Sequence, residues 1–380
     1  MGPSFVPTEE QELLRETARR FLEQKCPPSS VRALMESDEG FDPSIWKEIA
    51  DLGWQGIAIP EAYGGAGSTM LEQAVLMEEM GKVLFPGPYL ASAVLAANTI
   101  MLAGSEEQKR DLLPEIASGE RIVTVAFAEP EGLWDASGVQ LEALRAGGEF
   151  VLTGTKMFVL DGHIADVVIV AARTGKGETA EGISLFLVPG EADGLTRRRL
   201  ETMDMTRKQA ELSLESVRLP RSALLGEEGK GWEPLETAIR VAVVALAAEQ
   251  VGGAQKCLDM SVEYAKVRVQ FGRPIGSFQA IKHKCADMLV QVESARSAAS
   301  YAAWAAASAP EELREAAPVA KSYCSEAFFF CAAENIQVHG GIGFTWEHDA
   351  HLYFKRAKSS ELLFGDPVFW RRQLADELGI

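Results

Sequence analysis

The sequence is poor in the residues that build disulfide frameworks and metal clusters. Its 380 residues include five cysteines and five histidines, and no two cysteines form a C-x-x-C pair. An odd number of scattered cysteines indicates neither a disulfide framework nor a thiolate metal site, and it fits a reducing cytoplasm. His348 and His351 lie three residues apart without further ligands nearby. We expect a solvated or hydrogen-bonded pair there, and predict no metal.

Long apolar runs and an excess of positive charge are also missing. The most apolar window, residues 241–248, is far shorter than the ~20 residues of a membrane-spanning helix, so it predicts a buried helix segment. The N-terminus shows no basic region followed by an apolar run. Lys plus Arg is 37 against 55 for Asp plus Glu, a formal net charge of −18. A polyanion would be repelled by this charge, so we expect no nucleic-acid partner. Since no apolar run is long enough to span a bilayer, we also expect no membrane insertion and a cytoplasmic location.

Catalytic motifs of two common enzyme classes are absent as well. No G-x-S-x-G motif is present, which disfavours acyl transfer through a covalent serine intermediate. The glycine-rich stretch HGGIG, residues 339–343, follows a predicted helix instead of a strand. It therefore lacks the setting of a nicotinamide-binding Rossmann motif, and taken alone Gly340 and Gly341 are typical of a helix C-cap.

Hydrophobic periodicity divides the chain into three parts. Apolar positions three and four apart predict helices to about residue 118, and short runs rich in β-branched residues predict strands from 121 to 225. Helical patterns return after residue 231, at 232–267, 279–308, 311–339 and 367–378. We predict an α+β multidomain protein with a helical domain at 1–121, a β-domain at 122–226 and a helical bundle at 227–380.

Several stretches occur together in an order that is typical of one family. They read PEAYGGAG, LMEEMGKVL, GSEEQKRDLLPEIASGE, GTKMFV, RVQFGRPIGSFQAIKHKCADM and IQVHGGIGFTWEHDAHLYFKRA. The combination of R-x-x-F-G with Q-x-x-G-G about seventy residues later is the most specific part. On these motifs the chain resembles the acyl-CoA dehydrogenase family over nearly its whole length.

The resemblance implies a fold, a cofactor and a reaction. It implies an N-terminal all-α domain, a middle β-barrel or sandwich and a C-terminal four-helix bundle, with FAD bound between them in a tetramer. The reaction would be the α,β-desaturation of an acyl-CoA thioester, in fatty acid or steroid side-chain degradation, with an electron-transfer flavoprotein as acceptor. Arg268 and Phe271 would reach the FAD of a neighbouring subunit, where a planar guanidinium suits two phosphate oxygens. Gln337, Gly340 and Gly341 match the partner motif, and Gln279 would belong to the same surface.

The predicted β-domain departs from the family at the flavin ring. Phe127, Ala128, Phe158 and Leu160 match positions that contact the cofactor, but relatives carry threonine at the positions of Ala128 and Leu160. The usual G-x-G-S-D loop is replaced by EGLWD, residues 131–135. The hydroxyls that would bind the ring are therefore missing at two points.

The general base of the family is also missing. Its glutamate aligns with Gly365, and the alternative glutamate of some relatives aligns with Ala242. Asp366 is one residue late, and because a proline follows it, we favour a helix N-cap over a catalytic base. Arg240 is a candidate for binding acyl-CoA, although the family's arginine aligns with Val243.

Three functions remain open from the sequence. The chain could be a subunit that lends its cofactor-binding surface to a homologous partner in a heterotetramer. It could instead be a catalytic homotetramer with Asp366 as its base, or a related flavin oxidase or monooxygenase. The retained cross-subunit motif, combined with the altered ring and base positions, favours the lending subunit.

Overall fold

A helical unit and a unit built around a sheet make up the protein in the computed structural model, which describes residues 7–175 and 179–380. The helical unit comprises the chain up to Ala33, the segment Met70–Phe85 and the segment Val243–Ile380. The sheet unit comprises Leu34–Thr69 and Pro86–Ala242. The predicted order of a helical, a strand-rich and a helical part is confirmed.

The helices begin at local capping signals where the sequence supplies them. At the start of α1, Thr8 and Gln11 form a reciprocal capping box, and Ser105 and Gln108 do the same for α6. The α-helices are α1 (Glu9–Lys25), α2 (Pro28–Glu36), α3 (Pro43–Asp51), α4 (Met70–Lys82), α5 (Ala97–Ala103), α6 (Glu106–Ala117), α7 (Trp232–Val267), α8 (Gln279–Ser308), α9 (Leu313–His339), α10 (Ala350–Leu362) and α11 (Pro367–Leu378), and a buried π-helix spans Tyr89–Ala96.

One mixed sheet forms the centre of the sheet unit. Its strands are β1 (Val123–Ala126), β2 (Glu142–Ala146), β3 (Glu149–Leu160), β4 (Val167–Arg173), β5 (Ile183–Pro189), β6 (Leu195–Arg199), β7 (Gln209–Pro220) and β8 (Leu224–Leu225). They are ordered β6-β7-β3-β2-β4-β5-β8, with β1 pairing parallel to β4. The ladder between β3 and β7 shifts register between Lys156 and Val159, which marks a β-bulge. A separate hairpin, β9 (Val269–Gln270) and β10 (Arg273–Pro274), follows α7.

Among the described residues, α7 is the one helix that is both long and apolar enough to cross a membrane. An 18-residue window with a mean hydropathy of 1.3 meets the length and composition of a membrane span. However, 94% of that window is buried inside the protein, as in the core helix of a globular domain. The predicted burial of residues 241–248 is confirmed at 242–248, whereas Val241 is half-buried.

Two glycines let α4 and α7 cross with their backbones in contact. A Cβ on Gly81 would overlap the carbonyl oxygen of Glu249, and a Cβ on Gly252 would overlap that of Glu78. The contact is reciprocal, because each glycine faces the backbone three residues before the other. Only a residue without a Cβ permits this approach.

The same turns of α7 also hold α9 and α10. The Glu249 carboxylate binds the Arg356 guanidinium of α10 at 2.8 Å, with both side chains almost completely buried. Gln250 donates to the hydroxyl of Ser325 on α9 at 3.0 Å. Glu249 is thus one partner of an interhelical ion pair between α7 and α10.

The crossing predicts a large effect of one methyl group. Gly252→Ala should lower the free energy of unfolding by about 1–3 kcal/mol, although alanine favours a helix over glycine, because the Cβ must push two helices apart. Urea denaturation measures the loss. The comparison variant is Gly253→Ala, whose Cβ would meet a side chain, the end of the buried Phe328 ring, instead of a backbone carbonyl. Equal stability of Gly252→Ala and wild type would contradict the crossing.

Candidate functional site

The corner after α7 is a tight β-hairpin that carries Phe271 at its tip. Phe271 and Gly272 connect β9 to β10 with φ angles of 51° and 76°, the left-handed pair of a type I′ turn. A left-handed backbone is uncommon for phenylalanine and costs free energy. The Phe271 side chain is 91% exposed, so this strain is not offset by burial within its own chain.

Arg268 stands at the base of this hairpin with its backbone fixed and its guanidinium available. Its N–H donates to the Tyr264 carbonyl at 2.9 Å, and its carbonyl accepts from Ile275 N–H at 2.8 Å. The side chain is exposed and makes no ion pair within residues 7–175 and 179–380. By contrast, the Arg273 guanidinium lies 4.1 Å from the centre of the Phe278 ring.

The loop after α9 exposes its backbone at two glycines. Gly340 has φ 65° and ψ −142°, a conformation that side chains rarely tolerate, and its N–H caps α9 by donating to the Gln337 carbonyl. A Cβ on Gly340 or Gly341 would meet no atom within 4 Å. The C-cap interpretation is therefore right for Gly340, and the same loop leaves its backbone open to a ligand. The Gln337 side chain is exposed beside it.

Side-chain contacts bring the hairpin and the glycine loop to one end of the helical unit. Tyr264, one turn before Arg268, stacks on the His339 ring with 4.3 Å between ring centres. Ser261 donates to the side-chain oxygen of Asn335 at 2.9 Å. Burial lowers the pKa of His339, which favours the neutral form of the stacked imidazole. We refer to this exposed surface as the cradle; it comprises Arg268, Phe271, Gln279, Gln337, Gly340 and Gly341.

The groups exposed on the cradle are of the chemical kinds that are predicted to bind one half of an FAD molecule. A free guanidinium suits the pyrophosphate, and open glycine backbone permits close approach of a nucleotide. Phe344 and Trp346 follow the loop and are 83% and 50% exposed. Exposed rings next to a ligand surface are typical of an interface with another chain. No separate motif in the sequence predicts a role for these two rings.

The sheet unit presents the segments that are predicted to face the flavin ring. Phe127 and Ala128 follow β1 and are buried, and the Met157 N–H donates to the Ala128 carbonyl at 2.9 Å. Phe158 has φ 57° within the bulge of β3. Bulges and strained residues often occur at functional sites, which makes this edge of the sheet a candidate ligand site.

A buried ion pair fixes this edge. The Lys156 amine contacts the Glu129 carboxylate at 2.6 Å and the Phe127 carbonyl at 3.1 Å. The same Glu129 oxygen accepts the N–H groups of Gln140 and Leu141. Burial lowers the pKa of Lys156 to about 8, against the opposing attraction of Glu129. No motif in the sequence predicts this ion pair, because its two partners are 27 residues apart.

The side chains at this edge do not fit a flavin ring that needs hydrogen bonds. Ala128 and Leu160 are buried and carry no hydroxyl. The Trp134 ring lies 5.7 Å from the Phe127 ring and 6.3 Å from the Phe158 ring, centre to centre. The edge is therefore apolar and aromatic where hydroxyl donors are expected.

The turn before α11 leaves no room for a base at the family's position. Gly365 has φ 100°, and a Cβ there would overlap the Phe369 ring. The Asp366 carboxylate accepts the Phe369 N–H at 2.8 Å and caps α11, as its Asp-Pro sequence indicates. Trp370 donates to the Phe364 carbonyl at 3.0 Å, which fixes the turn.

The positions on α7 that align with the alternative glutamate and with the family's arginine offer no base either. Ala242 and Val243 are completely buried within α7. The Arg240 side chain is almost completely buried, with one guanidinium nitrogen 3.7 Å from the Glu236 carboxylate. Its predicted contact with acyl-CoA stays a prediction.

Comparison with known proteins gives one consistent result. Family models match the N-terminal domain of acyl-CoA dehydrogenases at residues 8–120, the middle domain at 124–217 and the C-terminal domain at 229–379. The acyl-CoA dehydrogenase IpdE2 of Mycolicibacterium smegmatis is 38% identical, covering 98% of this chain and 99% of the relative.

Two solved structures resemble the whole chain. One, titled as the electron transferring flavoprotein of Acidaminococcus fermentans, has a TM-score of 0.93 at 30% identity and covers 99% of each chain. The other is the ChsE4–ChsE5 complex from Mycobacterium tuberculosis, with a TM-score of 0.90 at 30% identity, also covering 99% of each chain. Similarity over the full length extends the match beyond any single motif.

The cradle predicts a cofactor defect without a folding defect. Arg268→Ala should weaken FAD retention by the assembled protein about 10- to 100-fold, because a hydrogen bond to a charged group contributes about 1.5–3 kcal/mol. Flavin absorbance after gel filtration measures retention. Arg273→Ala is the matched control from the same hairpin. Equal flavin content in the Arg268 variant and wild type would argue against the cradle.

Proposed function

The chain belongs to the acyl-CoA dehydrogenase family of FAD-dependent oxidoreductases, and we propose that it is the cofactor-lending subunit of a heterotetramer. In this role its cradle binds FAD that is held by a homologous partner. The partner supplies the contacts to the flavin ring and the catalytic base. The acyl-CoA substrate is desaturated in the partner's active site.

The chemistry explains which residues such a subunit can do without. Bound FAD would supply the acceptor for the hydride that leaves the β-carbon of the acyl thioester, and a protein carboxylate would remove the α-proton. A lending subunit needs neither this carboxylate nor donors to the ring. It needs a cation for the pyrophosphate and a backbone surface for the nucleotide, which are Arg268 and the Gly340–Gly341 loop.

The observation that carries the proposal is the packing at Gly365. The Phe369 ring occupies the direction in which a side chain at residue 365 would project. Asp366, the next residue, accepts the Phe369 N–H of α11, and this hydrogen bond ties the position of its carboxylate to the start of the helix. The turn is thus packed as a structural element.

The cradle has the opposite character. Phe271 is held at the tip of a strained turn and is almost completely exposed. Arg268 has no ion-pair partner within the described parts of the chain. Exposed, preformed groups of this kind support binding to a ligand and a second chain, and the ChsE4–ChsE5 relative is itself a complex of two different chains.

Two further assignments follow from the same proposal. We propose an electron-transfer flavoprotein as the electron acceptor, supported by the structural relative of that title. None of the five cysteines, which all lie in the described residues, forms a disulfide, and this supports a reducing compartment such as the cytoplasm. An acyl group of fatty acid or steroid origin fits the family.

The proposal predicts activity only in the assembled protein. The chain purified alone should show little reduction of flavin by acyl-CoA thioesters, because loss of a general base costs ~10²- to 10⁴-fold in rate. Co-expression with a homologous dehydrogenase subunit should restore the reaction. Stopped-flow absorbance of the flavin measures both.

The competing assignment has its own signature. If Asp366 is the base, the lone wild type reduces flavin and Asp366→Asn abolishes that activity while stability changes little, since asparagine also caps helices. Robust reduction by the lone wild type would refute the lending subunit.

A further inference from the structure

A tryptophan in the loop after Pro130 has no role in the reaction described above. Trp134 belongs to the EGLWD segment that stands in place of the family's G-x-G-S-D loop. Its half-buried ring packs against both Phe127 and Phe158. These two residues are predicted to border the flavin ring, so a bicyclic side chain occupies the gap between them.

The loop that carries Trp134 is held in place on its C-terminal side. The buried Arg173 guanidinium donates to the Ala136 carbonyl at 2.9 Å and to the Val139 carbonyl at 2.6 Å. Asp135 accepts the Ser137 N–H at 3.0 Å. Gly138 packs so closely on Leu133 that a Cβ would overlap it. These contacts fix the backbone of the loop that carries the tryptophan.

The other side of the gap is equally fixed. Lys156 binds the Phe127 carbonyl and Glu129, and the Met157 N–H binds the Ala128 carbonyl. Breaking one partner of a buried ion pair leaves an uncompensated charge, which is strongly destabilising. These contacts hold together the two segments that border the gap, so separating them would cost free energy.

We propose that Trp134 closes this chain's own flavin-ring position, so that the chain does not hold FAD alone and offers only its cradle to a partner. The inference rests on the proposed function and explains how the sheet unit excludes the cofactor. The contacts of Trp134 with Phe127 and Phe158 stabilise the closed arrangement, because edge-to-face and tilted ring pairs contribute to stability beyond the area they bury. Ala128 and Leu160 add no donor that would favour the flavin in competition.

Opening the gap should produce a gain of binding, which misfolding cannot mimic. FAD titration of the isolated chain, followed by equilibrium dialysis and flavin fluorescence, is compared for wild type, Trp134→Ala and Trp134→Val. Both variants should bind FAD at least tenfold more tightly than wild type. Trp134→Phe retains a ring and should bind as weakly as wild type. The control from the same loop, Leu133→Ala, alters an exposed side chain and should also match wild type.

Two outcomes overturn the closure. Folded Trp134→Ala and Trp134→Val chains that bind FAD no more tightly than wild type show that the ring is not the obstacle. Stoichiometric, tight FAD binding by the lone wild type shows that Trp134 does not block the flavin-ring position. Failure of the proposed function is recognised separately, by reduction of that bound flavin with acyl-CoA thioesters in the lone chain. Thermal melts confirm that each variant is folded.

Discussion

The close crossing of α4 and α7 is the constraint on which the helical unit depends. Gly81 and Gly252 bring the two backbones together, and one turn of α7 then reaches three neighbouring helices: α4 by backbone contact, α9 through Gln250 and α10 through Glu249. Buried polar contacts of this kind have to be satisfied together, because a broken pair leaves an unpaired group in the core. The arrangement fixes the axes of the helices whose ends carry the cradle.

The cradle follows from this arrangement because it consists of helix ends. Arg268 and Phe271 follow the last residue of α7, and Gly340 and Gly341 follow the last residue of α9. The stack of Tyr264 on His339 joins these ends just before each motif begins. The helices can therefore preserve a cofactor-binding surface even where the sheet unit has lost its ring contacts. A lending subunit needs only this division between a retained surface and an altered one.

Local signals in the sequence predicted much of the fold and only part of the site. The bounds of α7, α8 and α11 were predictable because each has a long periodic pattern or a local cap such as Asp366. The runs that predict strands do not include β2 and β6, whose sequences are EALRA and LTRRR. These residues do not favour strands, and only pairing with neighbouring strands orders them. Helix α10 has no side-chain cap at its start and was also missed. The ring of Trp134 between Phe127 and Phe158, and the Phe369 ring against Gly365, depend on tertiary packing that no short motif encodes.

The central claim is a division of labour between this chain and a homologous partner, and the number of FAD molecules per subunit tests it most directly. Native mass spectrometry of the co-purified assembly, combined with flavin absorbance, gives this number without an activity assay. The account predicts as many FAD molecules as partner subunits, and none assigned to copies of this chain. One FAD for every subunit, or a stable homotetramer of this chain carrying four FAD molecules, would contradict the account.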